Sequence, residues 1–202
     1  MANTNGPFGL KPVKHLNGSS WNGALDMYFI PASDTVAYAA GDVVTTAAGG
    51  DPVTGAPAVA LAGTRGAALT SGKLLGVVQG FGVAGMAYDP TNLELTAIPA
   101  TKTKDYYVFV CTGTDVVYEA QTDSLAAADF NKNCPLYVGA APSGIQRNSN
   151  SYAQGSAAGT AATLPLRVIG GVSRVGNDLT ASYAKILVAI NTHSLGNATA
   201  GV

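Results

Sequence analysis

The sequence predicts an all-β fold, an antiparallel barrel or sandwich with a jelly roll among its forms, carrying one short helix, an extended N-terminal arm and long Gly/Ala/Ser-rich loops. Three observations lead there. Short runs rich in Val, Ile, Tyr and Phe either alternate or stay apolar throughout, the patterns of strands buried on one face or on both. Glycine (25) and proline (10) punctuate the 202 residues so often that no long helical period survives. A chain of this length can form one large β domain that buries its own core.

Residues 1–22 hold Pro7, Pro12, Gly6, Gly9 and Gly18 among the isolated large groups Phe8, Leu10, Leu16 and Trp21, with Lys11 and Lys14 between them. This reads as an extended arm, removable without unfolding the rest, whose spaced side chains anchor in pockets. The candidate assembly contacts are therefore Phe8, Leu10, Lys11, Lys14 and Trp21, with apolar burial rather than charge expected to carry the contact. A single β domain spans residues 23–193, and residues 194–202 form a flexible tail.

Within the domain, residues 25–30 make the first strand, with Met27 and Phe29 on one face, Tyr28 and Ile30 on the other, and Pro31 at its end. Gly41 and Asp42 turn into a β-branched run, and residues 74–79 form a more apolar strand. Low-complexity residues 47–72 supply one short strand near residues 58–62 and are otherwise loop. Residues 106–111 and 115–121, joined by Thr112-Gly113-Thr114, form the clearest hairpin. Its second arm turns Val116, Tyr118 and Ala120 to the core and Asp115, Glu119 and Gln121 to water or an interface, around a lone Val117. Asp123 and Ser124 are N-cap residues ahead of good helix formers, and Pro135 forces the one short helix to end by Asn133 or Cys134. Residues 135–138, 164–175 and 184–191 bring the total to about eight to ten strands, an antiparallel barrel or sandwich. Residues 139–163, a tract of Ala, Gly, Ser, Asn and Gln, are expected to reach outward or across to another copy.

Only 11% of the residues are charged and 47% are hydrophobic, the difference being made up with small residues, a surface suited to packing against other protein. A formal net charge of −1 offers no basic field for phosphate, so nucleic acid is not an expected partner. No apolar run reaches the roughly 20 residues of a membrane span, and the first residues lack the pattern of a signal peptide. Production in the cytosol is expected. Cys111 and Cys134 read as free, part-buried thiols.

His15 and His193 stand far apart without ligand clusters, one in the arm and one in the tail, so neither a metal site nor a rigid general base is expected. The run Gly80-Phe81-Gly82-Val83-Ala84-Gly85 matches the dinucleotide fingerprint by letter. That fingerprint needs a helix behind it, and Pro90 blocks one. Cofactor and enzyme readings both lose their support, since no nucleophile elbow, zinc-binding His pair or P-loop is present.

Four segments carry a resemblance: Asn3-Thr4-Asn5-Gly6-Pro7-Phe8-Gly9-Leu10-Lys11-Pro12-Val13; Asp115-Val116-Val117-Tyr118-Glu119-Ala120-Gln121; Leu164-Pro165-Leu166-Arg167-Val168-Ile169-Gly170-Gly171-Val172; and Ala184-Lys185-Ile186-Leu187-Val188-Ala189-Ile190-Asn191. Together they resemble a family of tailed-bacteriophage virion structural proteins similar to head decoration, or cement, proteins. The resemblance implies a β-rich protein of the virion head surface, made in the host cytoplasm. Such a protein binds the major capsid protein and other copies of itself as a dimer or trimer, and stabilises the capsid by bridging its subunits. A tail-tube protein is the alternative and would form stacked rings. A receptor- or glycan-binding head module is third and would cluster aromatics in a groove.

Overall fold

The structure is a computed structural model, described for residues 3–84, 95–141 and 147–196. Among the described residues, fifteen strands occur in this order: β1 (Lys11–His15), β2 (Asp26–Ile30), β3 (Tyr38–Ala39), β4 (Val43–Gly50), β5 (Pro57–Leu61), β6 (Ala67–Leu69), β7 (Gly76–Val83), β8 (Ala97–Ile98), β9 (Tyr106–Cys111), β10 (Val116–Gln121), β11 (Asn133–Cys134), β12 (Leu136–Val138), β13 (Tyr152–Ala153), β14 (Leu166–Gly171) and β15 (Lys185–Ile190). The protein is all-β.

Strands β2, β5, β4, β7 and β9 close a barrel, antiparallel except where Phe29 of β2 meets Ala58 of β5 in parallel. Beside it lies a five-stranded antiparallel sheet in the order β1-β10-β15-β14-β11, and two smaller sheets, β13-β12-β6 and β3-β8, fill the flanks. One core joins barrel and sheet. Val44, Val77, Val108 and Val110 enter it from the barrel, and Tyr118, Ala120, Val168, Ile186 and Val188 from the sheet. The alternation expected for β10 and β15 is therefore realised on the core face. Closure removes most free strand edges, which protects a surface that has little charge to keep copies apart.

The expected hairpin of β9 and β10 does not form. β9 pairs with β2 and β7 inside the barrel, whereas β10 pairs with β1 and β15 in the sheet. Residues 112–115 turn a corner between layers. The reason is burial: β9 already has a barrel neighbour on each edge, so no edge is left for β10. The face of β10 expected to be wet is also largely covered, with Val117 at 0% and Gln121 at 2% exposure.

The expected helix shrinks to a single 3-10 turn, Ala127–Asp129. Asp123, the predicted cap, is diverted to Ser124 and Ser156, and its carboxylate binds the backbone N–H of both. Asn131 then takes a positive φ of 67°, which stops any helix. Residues 47–72 are more ordered than expected, since β4 runs on to Gly50 and β6 adds a second strand there.

The polar tract at residues 139–163 is in part built into the domain rather than reaching outward throughout, although residues 142–146 lie outside the described part. Ser149, Ser151 and Ala153 are buried, and residues 152–153 form β13. Hydrogen bonds take the place of apolar packing: Ser149 and Ser151 hydroxyls meet at 2.9 Å, and the Gly139 N–H donates to Ser151 Oγ at 3.1 Å. Small residues let backbones touch. A Cβ on Gly139 would stand 2.1 Å from the Asn150 carbonyl oxygen, and one on Gly155 would stand 2.1 Å from that of Ser124. Gly80 and Gly82 lie in β7, while Gly85, Pro90 and the rest of the fingerprint's surroundings lie outside the described residues, as does the tail from residue 197.

Candidate interaction cleft under the N-terminal strap

The N-terminal segment is extended, as its Pro and Gly content dictates, and it is built into the domain rather than standing off it. Residues 3–10 form a strap across the outer face of the five-stranded sheet. The Asn3 side-chain amide donates to the carbonyls of Asp178 (2.7 Å) and Ser182 (3.0 Å), and its oxygen accepts the Asp178 N–H at 2.9 Å. Gln121 clasps the strap midway: its amide donates to the Thr4 carbonyl at 3.0 Å and its oxygen accepts from Gly6 N–H at 3.2 Å. Farther on, Gly9 N–H donates to Ser151 and Leu10 N–H to Gly41, each at 3.0 Å. The crossing is so close that a Cβ on Gly9, whose φ is +75°, would lie 2.3 Å from the Gly41 carbonyl oxygen. β1 then pairs with β10, Lys11 opposite Glu119.

These contacts redistribute the five candidate residues. Leu10 is fully buried in the chain's own core, so it is a structural anchor and offers nothing to a partner. Trp21 packs half-buried on the same core, in which Cys111 is buried and its thiol pushed above its ordinary pKa by that burial. Phe8 and Lys14 are half-buried and Lys11 is exposed. Phe8, Leu10 and Lys11 come together along one cleft, whereas Lys14 and Trp21 are not part of its lining.

That cleft measures about 460 Å³ and lies between the strap, Ala40 and Gly41 ahead of β4, Gln79 of β7, and the sheet. Its charged lining is Lys11, Glu119, Arg174 and Lys185. Glu119 is held by Arg174, whose Nη2 and Nη1 donate to its two oxygens at 2.7 and 3.4 Å. Lys11 stands directly opposite Glu119, and Lys185 stands opposite Gln121 one strand farther across. Glu119 and Lys185 belong to segments named in the sequence, but their convergence with Arg174 was not legible there. A chain-level charge count hides a local cluster, and Arg174 sits in a Gly/Asn-flanked turn whose path no periodicity fixes.

Other reactive groups are structurally engaged. Asp42, fully buried, accepts from Nη1 and Nη2 of Arg65 (2.9 and 2.6 Å) and from the Ala39 N–H at 2.9 Å. Buried Lys102 donates to Asp34 Oδ1 and to the carbonyls of Asp34 and Val36, with its ammonium 5.5 Å above the Tyr38 ring. His15 meets Asp115 at 3.1 Å near the exposed corner. His193 is not in a mobile tail: it is buried, it is bridged to Leu74, and its Nδ1 accepts the Leu195 N–H at 3.0 Å. Cys111 and Cys134 are free and buried, and burial pushes the Cys134 thiol up to about 12. Among the described residues, no three His, Cys, Asp or Glu side chains gather at metal-binding spacing.

A second cleft, about 620 Å³, runs along the outer barrel face beside Met27, Val53, Tyr107 and Phe109. Its carboxylates are committed to holding loops: Asp51 accepts from the Tyr107 hydroxyl at 2.5 Å and from Thr54 and Val53, and Asp105 accepts the Ala32 N–H at 2.6 Å. Comparison of the chain with protein-family models, with curated proteins and with solved structures finds no match.

Proposed function

We propose that this chain is a structural component of a tailed-phage virion that binds the assembled capsid and bridges neighbouring capsid subunits, as decoration or cement proteins do. One observation carries the reading. The four sequence segments that resemble such proteins, scattered from residue 3 to residue 191, converge on one surface: the strap together with β1, β10, β14 and β15, four of the five strands of a single sheet. The cleft at the strap is bordered by three of those four segments. A low-charge surface adds support, because bridging protein subunits requires burial of area that charge would make costly to desolvate.

In this role the chain acts without catalysis or cofactor. Its partners are the major capsid protein and further copies of itself in a dimer or trimer. Repetition over many copies turns modest individual contacts into particle stability. The test is to add purified chain to heads that lack it. Saturable co-sedimentation with the heads and a raised rupture temperature are the expected results. Assembly of the chain alone into rings or tubes would replace this reading with the tail-tube one, and failure to bind heads at all would remove it.

A further inference from the structure

We propose that the cleft beneath the strap is a carboxylate-binding site that receives an extended acidic segment of a protein partner, an inference that rests on the assembly role above. The charges define the ligand. Lys11, Arg174 and Lys185 line the cleft against the single carboxylate of Glu119, an excess of two positive charges in a chain whose formal net charge is −1. Arg174 is spent on Glu119 through its two bonds. The ammonium groups of Lys11 and Lys185 have no hydrogen-bond acceptor or ion-pair partner among the described residues.

The surroundings narrow the class further. Glu119 in the middle repels a polyanion, so one or two carboxylates suit the cleft and a nucleic-acid backbone does not. The half-buried Phe8 ring and the lysine stems give the methylene groups of Asp and Glu side chains an apolar wall. At about 460 Å³ the cleft has room for a few side chains of a peptide. Of the apolar anchors expected to carry the contact, Leu10 is withdrawn into the core, and Phe8 remains at this cleft beside the charged groups.

The experiment uses the full chain in a nuclear magnetic resonance titration with two capped pentapeptides, Gly-Asp-Ala-Glu-Gly and its amide counterpart Gly-Asn-Ala-Gln-Gly. The acidic peptide should give saturable shifts centred on Gly6, Lys11, Gln79 and Lys185 at low salt, and the amide peptide none. Lys11→Gln combined with Lys185→Gln should weaken binding about tenfold, and raising salt from about 0.02 M to about 0.5 M should do the same. Both side chains lie outside the core, so unchanged thermal unfolding shows that the fold is kept. No saturable shift, equal binding of the amide peptide, or undiminished binding by the double variant would overturn the site. Co-sedimentation with heads separates the two claims: a failed peptide site with intact head binding sinks only the site, whereas peptide binding without head binding sinks the assembly role.

Discussion

The hydroxyl of Tyr118 donates to the carbonyl oxygen of Cys111 at 3.2 Å, and this bond ties the first sheet strand after the corner back to the last barrel strand before it. Tyr118 is fully buried, and burial raises its pKa well above the ordinary value, which favours the protonated, donating hydroxyl. Tyr118→Phe removes the bond while keeping the ring. It should cost about 1–2 kcal/mol in urea unfolding followed by circular dichroism, because a buried acceptor loses a partner. A change near zero would mean that apolar packing alone holds the two layers together.

Arg65 and Asp42 make a buried ion pair, with the carboxylate at 0% side-chain exposure. Arg65→Ala strands that charge and should cost about 3–5 kcal/mol. Arg65→Met with Asp42→Asn removes both charges and should cost clearly less than the sum of the two single changes. Additive losses in such a cycle would show that the two groups act independently.

Histidine gives the pH dependence near neutrality. Burial lowers the His193 pKa from its ordinary 6.5, and its Nδ1 must stay unprotonated to accept the Leu195 N–H. The unfolded chain therefore binds a proton that the folded chain resists, so stability rises with pH through this window. It is complete above 6.5 and is lost as pH falls through the depressed folded value. His193→Asn keeps an acceptor and removes the titration. Melting temperatures measured from about pH 8 to about pH 5 should fall more steeply for the native chain than for the variant, with the difference confined to this range. Parallel curves would rule out His193 as the cause.

The all-β class and most strands were legible because alternation and apolar runs are local: Ile186, Val188 and Ile190 lie on one core face as their spacing says. Pairing was not legible. Tyr106–Cys111 and Val116–Gln121 look like a hairpin because a short turn joins them, but nothing local states that both edges of the first strand are already taken. Polar packing was equally hidden, since Ser149 and Ser151 are buried through hydrogen bonds that composition cannot announce. The strap half of the cleft was visible in Phe8 and Lys11. Its far wall, Arg174 and Lys185, needed the fold.

The small-residue tract supplies a sharp test of that hidden packing. Gly139→Ala forces a Cβ to within 2.1 Å of the Asn150 carbonyl oxygen, a contact with backbone that no rotamer relieves. Overpacking of this kind costs about 1–3 kcal/mol or more. Deleting residues 149–159 should unfold the protein, since it removes β13 and the buried serines together. A folded deletion variant would place this tract outside the cooperative unit.

The strap separates folding from assembly, because its residues do different jobs along a short stretch. Removing residues 1–5 cuts the Asn3 and Thr4 bonds but leaves Leu10, so the emission of Trp21, the only tryptophan, should barely change and unfolding should shift modestly. Leu10→Ala empties a fully buried site and should cost about 2–5 kcal/mol, and removing residues 1–10 should cost at least as much. The arm should therefore not be removable as a whole, since it carries the fully buried Leu10. Phe8→Ala should behave differently again: its ring is half-buried at the cleft, so the fold should persist while head binding weakens by about 2 kcal/mol, as for an interface anchor. Thermal unfolding and head co-sedimentation measured on these four variants decide the matter. If Phe8→Ala destabilises the fold as much as Leu10→Ala, the strap is structural throughout and the contact must be sought on another face.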